Sequence, residues 1–232
     1  MQGIVLEQIP FHIDLNVFFR ELCIKERTSY FEDLGHLIRE AQRIGKPKAF
    51  YKLSFIEAKE DSHVVIDGVI LRSRVLRVNL EEVHRVFPYV ATCGIELEEW
   101  SNGIENTLKR YWAERIKEAA LRIAIDFMKR DILERFQPGI IASMSPGSLE
   151  DWPIEEQRPL FSILGGPKRV IGIHLSESLQ MVPTKSVSGI CFPTEVSFSS
   201  CQLCPREICP SRIAPYSRVL YERKYLNKNN PS

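Results

Sequence analysis

The sequence predicts an α+β fold, in which helices and antiparallel strands are present but do not alternate regularly. Three observations support this class: a helical apolar repeat runs from 106 to 136, a β-hairpin signal lies at Asp67-Gly68, and no βαβ rhythm or internal repeat is visible. The chain has 232 residues, of which 44% are apolar, so it can bury a full core. Its net charge of +1 provides no overall field for binding nucleic acid or an anionic membrane.

The first helix is predicted from Ser29, which forms a capping-box pattern with Glu32. Apolar residues then recur on one helical face, and Gly45 provides the stop signal. These apolar residues are Leu34, Leu37, Ile38, Ala41 and Ile44. The sequence therefore predicts an amphipathic helix that packs on the core through this face.

A hairpin and a short helix are predicted next. The β-rich runs 63–66 and 69–71 flank Asp67-Gly68, a pair that favours a type I′ turn. Asn79, with Glu82 three residues later, predicts the cap of a short helix that runs to Phe87 and ends at Pro88.

The longest predicted element spans 106–136. Its apolar residues recur at steps of three and four, while its other face carries charges of both signs at i,i+4 spacing. This pattern indicates one packed face and one solvated face. After Pro138-Gly139 the sequence predicts loops, a short helix at 159–164 stopped by Gly165-Gly166, and strands at 170–175 and 185–192.

Three cysteines near the C-terminus form a C-x2-C-x4-C run: Cys201, Cys204 and Cys209. Thiolates at this spacing can ligate one metal ion or the iron of a cluster from a single loop. The alternative is a pair of free thiols, or a disulfide, at a tight turn. The N-terminus lacks a signal-peptide pattern and no long apolar segment is present, so we expect a cytoplasmic protein, where a reducing environment favours metal ligation over disulfides.

Several segments together resemble the activation domain of cobalamin-dependent methionine synthase, in the same order and spacing. Upstream segments resemble stand-alone relatives of that domain found with corrinoid proteins. The matching segments are Lys48-Ala49, Asp67-Gly68, 90–99, Pro146-Gly147, Gln157 with Leu160-Phe161, Ile171-Gly172, 175–178, Met181 with Pro183, and 186–189.

The resemblance implies a C-shaped single domain built around a twisted antiparallel sheet flanked by helices. It covers an activation-domain-like region at 1–195, followed at 196–232 by the cysteine cluster and a basic tail. The implied role is the return of inactive cobalt(II) to cobalt(I) in a corrinoid held by a partner protein. The implied cofactor-binding residues are Ser145, Pro146, Gly147 and Glu177.

This sequence departs from the family pattern at the residues that help to hold S-adenosylmethionine. Ser143 and Ser148 stand where the family has an arginine and a tyrosine, and Ser199-Ser200 stands in place of a tyrosine pair. A serine replaces neither a bidentate arginine clamp nor an aromatic stacking surface, so we expect weak binding of S-adenosylmethionine. Cys201 follows directly, which suggests that the cysteine cluster occupies the region of the lost site.

Without that methyl donor to trap cobalt(I), the reduction requires a low-potential electron donor. Iron–sulfur clusters reach potentials of about −700 mV, whereas zinc has no redox chemistry. The sequence therefore favours an iron–sulfur cluster, of the four-iron type, on Cys201, Cys204 and Cys209. Cys191 is the first candidate for a fourth ligand and Cys93 the next, while an open site or a small ligand is equally allowed.

Three functions remain open from the sequence. The first is a redox activator of a cobalamin-dependent methyltransferase of the methionine synthase type, which docks on a corrinoid protein and receives electrons from a low-potential donor. The second is a separate activation subunit that uses S-adenosylmethionine. The third is a zinc-stapled module that binds a corrinoid protein without redox activity. For the first function we expect the cysteine loop, the 145–147 loop and the 175–178 segment to share one cleft.

Overall fold

The computed structural model describes residues 3–24, 28–195, 198–209 and 212–226. Antiparallel strands form an eight-stranded sheet in these residues, and helices pack on it, which confirms the α+β class. The strands are β1 Ile4–Leu6, β2 Lys48–Tyr51, β3 Ser54–Glu60, β4 His63–Ile66, β5 Val69–Arg72, β6 Arg85–Thr92, β7 Ile141–Met144 and β10 Ser186–Pro193, with β8 His174–Leu175 and β9 Met181–Val182 forming a separate pair.

Strand β6 is the centre of the sheet. It pairs with β10 along one edge and with β2 and then β3 along the other, and β7 extends the sheet beyond β10. The helices are α1 Leu15–Glu21, α2 Ser29–Ile44, α3 Arg74–Asn79, α4 Ile95–Asn102, α5 Thr107–Phe136, α6 Gln157–Leu164, α7 Pro167–Ile171 and α8 Arg218–Tyr221. No helix in the described ranges has the length and apolar character needed to cross a bilayer.

The long helix predicted at 106–136 is confirmed as α5. Asn106 caps it by accepting a hydrogen bond from the backbone N–H of Lys109 at 3.0 Å. The C-terminal half of α5 buries Met128 and Ile132 against one face of the sheet, where Phe87 packs beside them. The N-terminal half packs on α2 and α4. One helix thus joins the sheet to the other helices.

The opposite face of the sheet carries a second core cluster. Trp152 and Leu160 pack there with residues of α3, β4, β5, β7 and β10. Leu203 and Tyr225, which come from the C-terminal segment, are buried in the same cluster. The segment that carries the cysteines is therefore anchored on this face of the sheet.

The hairpin prediction is confirmed, because Asp67 and Gly68 both have positive φ, at 48° and 74°, as a type I′ turn requires. Helix α2 and its stop at Gly45 are also confirmed. Its N-cap is Thr28 rather than Ser29, since the Thr28 hydroxyl accepts from the N–H of Phe31 at 3.3 Å. The predicted capping box lay one residue too late.

Two other local predictions were wrong. Residues 79–87 form no single helix: Ser73 caps α3, which ends at Asn79, and β6 begins at Arg85. Pro88 lies inside β6, next to the end of β2, and its carbonyl accepts from the N–H of Lys52 at 3.0 Å. A proline is tolerated there because the neighbouring ladder ends beside it.

The strand predicted at 170–175 was also wrong. Helix α7 occupies the first part, and Gly172, with φ 80°, separates it from the two-residue strand β8. By contrast, the helix predicted at 159–164 is found as α6, with Gly165 as its left-handed C-cap, and the strand predicted at 185–192 is found as β10.

Candidate functional site

The 145–147 loop follows β7 and is fixed by its own backbone. Gly147 has φ 80°, and its N–H donates to the carbonyl of Trp152 at 2.7 Å. Ser148 donates to the Ser145 carbonyl from its N–H at 3.2 Å and from its hydroxyl at 2.5 Å. The positive φ favours glycine at this turn, and a Cβ on Gly147 would also lie 2.8 Å from the Cδ1 atom of Ile154, whose side chain would have to shift.

Ser143 stands where the family has an arginine, and its side chain contacts Tyr89 on the α5 face of the sheet. Ser143 and Ser145 both form side-chain hydrogen bonds with the phenol of Tyr89, which is buried. Burial raises the pKa of Tyr89 far above its usual value, and these two bonds offset only part of that shift. The hydroxyl of Ser143 is thus engaged with a neutral tyrosine.

The cysteine loop, defined as the described residues 199–209 and 212–213, is organised by Arg212. Its Nη1 atom donates to the carbonyl of Cys201 at 3.0 Å, and its Nη2 atom donates to the carbonyls of Cys204, at 3.2 Å, and of Arg206. The backbone N–H of Arg212 donates to the carbonyl of Cys209 at 3.1 Å. One arginine therefore holds the main chain at all three cysteines of the run.

The surroundings of Cys201 favour ionisation of its thiol. Burial disfavours its ionised form, but hydrogen bonds from the backbone N–H groups of Ile213 and Ala214 and from the Ser199 hydroxyl outweigh this effect, helped by the charge of Arg212. The pKa of Cys201 is lowered as a result. Such N–H bonds to sulfur are also what tunes a thiolate-ligated metal centre.

The side chains themselves are not gathered as ligands. Within the described residues, no three His, Cys, Asp or Glu side chains are arranged to hold a metal ion. The donor set nevertheless fits a thiolate-ligated centre, because three soft sulfur donors lie on one short loop and the pKa of one of them, Cys201, is lowered by its surroundings.

A cavity of about 560 Å³ lies between the 145–147 loop and the cysteine loop. Gly147 and Ser148 line one side, and Leu203, Cys204 and Pro205 line the other. The remaining lining residues are Val75, Leu149, Glu150, Asp151, Pro153, Ile154, Glu155, Tyr216 and Tyr221. The structure thus brings together two segments that are more than 50 residues apart in the sequence.

Cys191 lies away from this cavity. In β10 its side chain points to the α5 face, where it is buried with Met128 and Ile132, whereas Ile190 and Phe192 point to the face that carries Leu203. Burial raises the pKa of the Cys191 thiol to about 12. The sheet therefore separates Cys191 from the cysteine loop, and Cys191 does not enter the ligand set proposed below. Cys93 is likewise buried elsewhere, in the core between α2 and α5.

Glu177 also lies outside the cavity. It is exposed in the tight connection between β8 and β9, and the 175–178 segment contributes no residue to the cavity lining. Of the three segments expected to share one cleft, the structure thus brings two together around the cavity, and the third is on a separate hairpin.

Sequence reasoning missed two residues of this region. Arg212 lies in the region predicted as a basic tail, and no local pattern signals its hydrogen bonds to the cysteine loop. Asp151 lines the cavity and fixes α3, because its Oδ2 atom accepts from the hydroxyl of Ser73 at 2.5 Å and from the N–H of Val75 at 2.9 Å. No local pattern signals that contact, which joins residues about 75 positions apart.

Comparison with known proteins identifies the fold. No protein-family model and no curated protein matches the sequence. A crystal structure of the MetH reactivation domain bound to AdoHcy is similar, with a TM-score of 0.61 and 13% sequence identity, over 86% of this chain and 81% of that chain. The chain therefore has the reactivation-domain fold, as the sequence resemblance implied.

Proposed function

We propose that this protein reactivates a corrinoid protein by returning cobalt(II) to cobalt(I), in a system of the cobalamin-dependent methionine synthase type. The observation that carries the proposal is the reactivation-domain fold, which extends over 86% of the chain. The partners are the corrinoid protein, which holds the cobalt, and a low-potential electron donor. The reaction adds one electron to cobalt(II), and the donor loses that electron.

Cys201, Cys204 and Cys209 are the residues that would hold an iron–sulfur cluster. Such a cluster supplies one-electron transfer at a potential that hydrogen bonds to its sulfurs help to set. The N–H groups of Ile213 and Ala214, which bond to Cys201, are in a position to contribute such bonds. With three cysteines on the loop, the fourth ligand is a small molecule or an open position.

The rest of the chain positions this loop. Arg212 fixes the backbone of all three cysteines, and Leu203, which is 5% exposed, anchors the loop in the core cluster beside Trp152. The cavity beside Cys204 adjoins the 145–147 loop, which the family resemblance associates with the cofactor. A cluster on this loop would thus lie next to the cavity that we assign to the corrinoid.

A reduction assay tests the proposal. Protein purified without oxygen and then reduced is mixed with the cobalamin-binding domain of a methionine synthase that carries cob(II)alamin. We expect the cobalt(II) absorption band to disappear and the rate to fall with added salt, because transient docking depends on charged rims. Equal reduction by the triple variant Cys201→Ser, Cys204→Ser, Cys209→Ser would contradict the proposal.

A second candidate is an activation subunit that uses S-adenosylmethionine. It is favoured by the AdoHcy bound in the similar crystal structure and by the cavity beside Gly147. Against it stands Ser143, at the position where the family has an arginine. The loss of a bidentate charged contact whose partner stays buried costs about 2–5 kcal/mol, which weakens binding at least about thirtyfold. We therefore expect calorimetry to show weak binding of S-adenosylmethionine. Low-micromolar affinity would instead make this candidate the better one.

A further inference from the structure

A second pocket, of about 270 Å³, lies outside the candidate site, between α6, α7 and β8. Three of its lining residues carry basic groups: Arg158, Lys168 and His174. The others are apolar or glycine: Phe161, Gly166, Pro167, Ile173 and Leu175. No acidic residue lines the pocket, which distinguishes it from the cavity beside the cysteine loop, where Glu150, Asp151 and Glu155 are present.

The basic groups of this pocket have no partners in the described part of the chain. Neither Arg158 nor Lys168 forms an ion pair or a side-chain hydrogen bond there, and the Nδ1 atom of His174 is buried without a hydrogen-bond partner. By contrast, the buried Lys117 is paired with Glu98 at 3.0 Å.

Local structure fixes the backbone positions that carry these side chains. Arg158 and Phe161 are three residues apart on α6 and so lie on the same face of that helix. Gly165 and Gly166 have φ of 73° and 87° and turn the chain into α7, which carries Lys168. Gly172 then turns it into β8, where His174 pairs with Val182. The pocket is therefore built by three ordered elements.

We propose that this pocket binds the phosphate group of an organic phosphate. The guanidinium of Arg158 can donate two parallel hydrogen bonds to phosphate oxygens, and Lys168 supplies a second positive charge. The ring of His174 forms part of the pocket wall. Phe161, Pro167, Ile173 and Leu175 provide apolar contact for the carbon skeleton next to the phosphate. The pocket volume suits a phosphate with a small part of its ester group.

Two sources share this chemistry. One is the phosphodiester of the nucleotide tail of cobalamin, which would make the pocket a second contact for the corrinoid and would rest on the proposed function. The other is a free organic phosphate, which would bind whether or not the protein reactivates a corrinoid. Cobinamide has the same corrin ring but lacks the nucleotide tail, so it separates the two sources.

Calorimetry at low salt tests the site. Inorganic phosphate and pyrophosphate are titrated into the full chain, into the double variant Arg158→Gln, Lys168→Gln, and into the control Arg130→Gln. Arg158, Lys168 and Arg130 are all exposed, so these variants are expected to fold, and circular dichroism checks this. We expect the double variant to weaken pyrophosphate binding about tenfold or more, because two positive charges and their hydrogen bonds are removed, and the control to leave binding unchanged.

Cobalamin and cobinamide are then compared with the same three proteins. Tighter binding of cobalamin, lost in the double variant, identifies the nucleotide tail as the source. Equal binding of the two, with pyrophosphate binding intact, identifies a free organic phosphate. If the natural chain binds neither phosphate nor pyrophosphate at millimolar concentration, or if the double variant binds pyrophosphate as the natural chain does, the inference is overturned. The reduction assay above is scored separately, so failure of one proposal is distinguishable from failure of the other.

Discussion

The sheet with its helices and the cysteine loop are held by different forces. In the body, Ile116, Met128 and Val90 are fully buried, and the elements are fixed by apolar packing on both faces of the sheet. In the cysteine loop, Ile208 is 85% exposed and Ile213 is 82% exposed; Leu203 anchors the loop in the core, and hydrogen bonds donated by Arg212 hold the backbone around the cysteines.

This difference indicates that the body folds without the loop, whereas the loop depends on a few polar contacts and, in our proposal, on a bound cluster. Changes in the loop should therefore alter metal content with little effect on the body. Changes in the body should alter stability without changing the metal content of the folded protein.

The largest expected effect is the loss of the cluster. The variant Cys201→Ser, Cys204→Ser, Cys209→Ser should lose iron and acid-labile sulfide completely while urea unfolding of the body stays nearly unchanged, because Leu203 and the core are untouched. The single variant Cys204→Ser should also lose both. The control is Cys23→Ser, an exposed cysteine far from the loop in the sequence. Full iron content in the triple variant contradicts the assignment of ligands, and zinc in place of iron supports the binding-module alternative.

The next effect concerns the body. Met128→Ala removes a fully buried side chain between α5 and the sheet, and such a truncation costs about 2–5 kcal/mol of unfolding free energy. Leu133→Ala on the same helix is the control, because Leu133 is 40% exposed and its truncation should cost far less. Urea titrations measure both variants. Loss of iron from folded Met128→Ala protein would show that body and loop are not independent.

Removal of Arg212 should loosen the loop alone. Arg212→Gln removes the charged donor to the carbonyls of Cys201, Cys204 and Arg206, so we expect a several-fold faster loss of iron to a chelator and little change in urea unfolding. Arg206→Gln is the matched control on the same loop. Equal rates of iron loss in the two variants would mean that the guanidinium of Arg212 does not support the metal site.

The smallest effect is a pH dependence in the body. Glu98 accepts from Lys117 at 3.0 Å and from the Thr184 hydroxyl at 2.9 and 2.8 Å. Burial alone would raise the pKa of Glu98, but these bonds outweigh burial and lower it. Its stabilising contribution is therefore present above the unfolded-state pKa of about 4.3 and is lost as the pH falls below that value.

Chemical unfolding across the acid range measures this dependence. Glu98→Gln should flatten the part of the pH profile below about 4.3, because the titrating carboxyl is removed. Glu99→Gln, at the exposed neighbouring position, should leave the profile unchanged. A profile that keeps its shape in Glu98→Gln would show that another carboxyl is responsible.

Strong local signals in the sequence determined much of the fold. The apolar repeat and the cap at Asn106 define α5, and Asp67-Gly68 defines the hairpin, since both signals depend on residues close in the chain. Asn79 had the same kind of local signal and misled the prediction. Its Oδ1 atom instead accepts from the hydroxyl of Tyr225 at 2.7 Å and from Lys224 at 2.9 Å, contacts that join residues about 145 positions apart.

By itself the sequence determined which residues carry the candidate chemistry: the spacing of Cys201, Cys204 and Cys209 identifies one thiol-rich loop. Only the tertiary structure decided which residues share a site with that loop. Alternation along β10 turns Cys191 to the far face of the sheet, and packing through Leu203 brings the loop beside Gly147. Spacing along the chain fixes local geometry, whereas the choice of face and neighbour depends on the burial of distant apolar residues, which no local pattern contains.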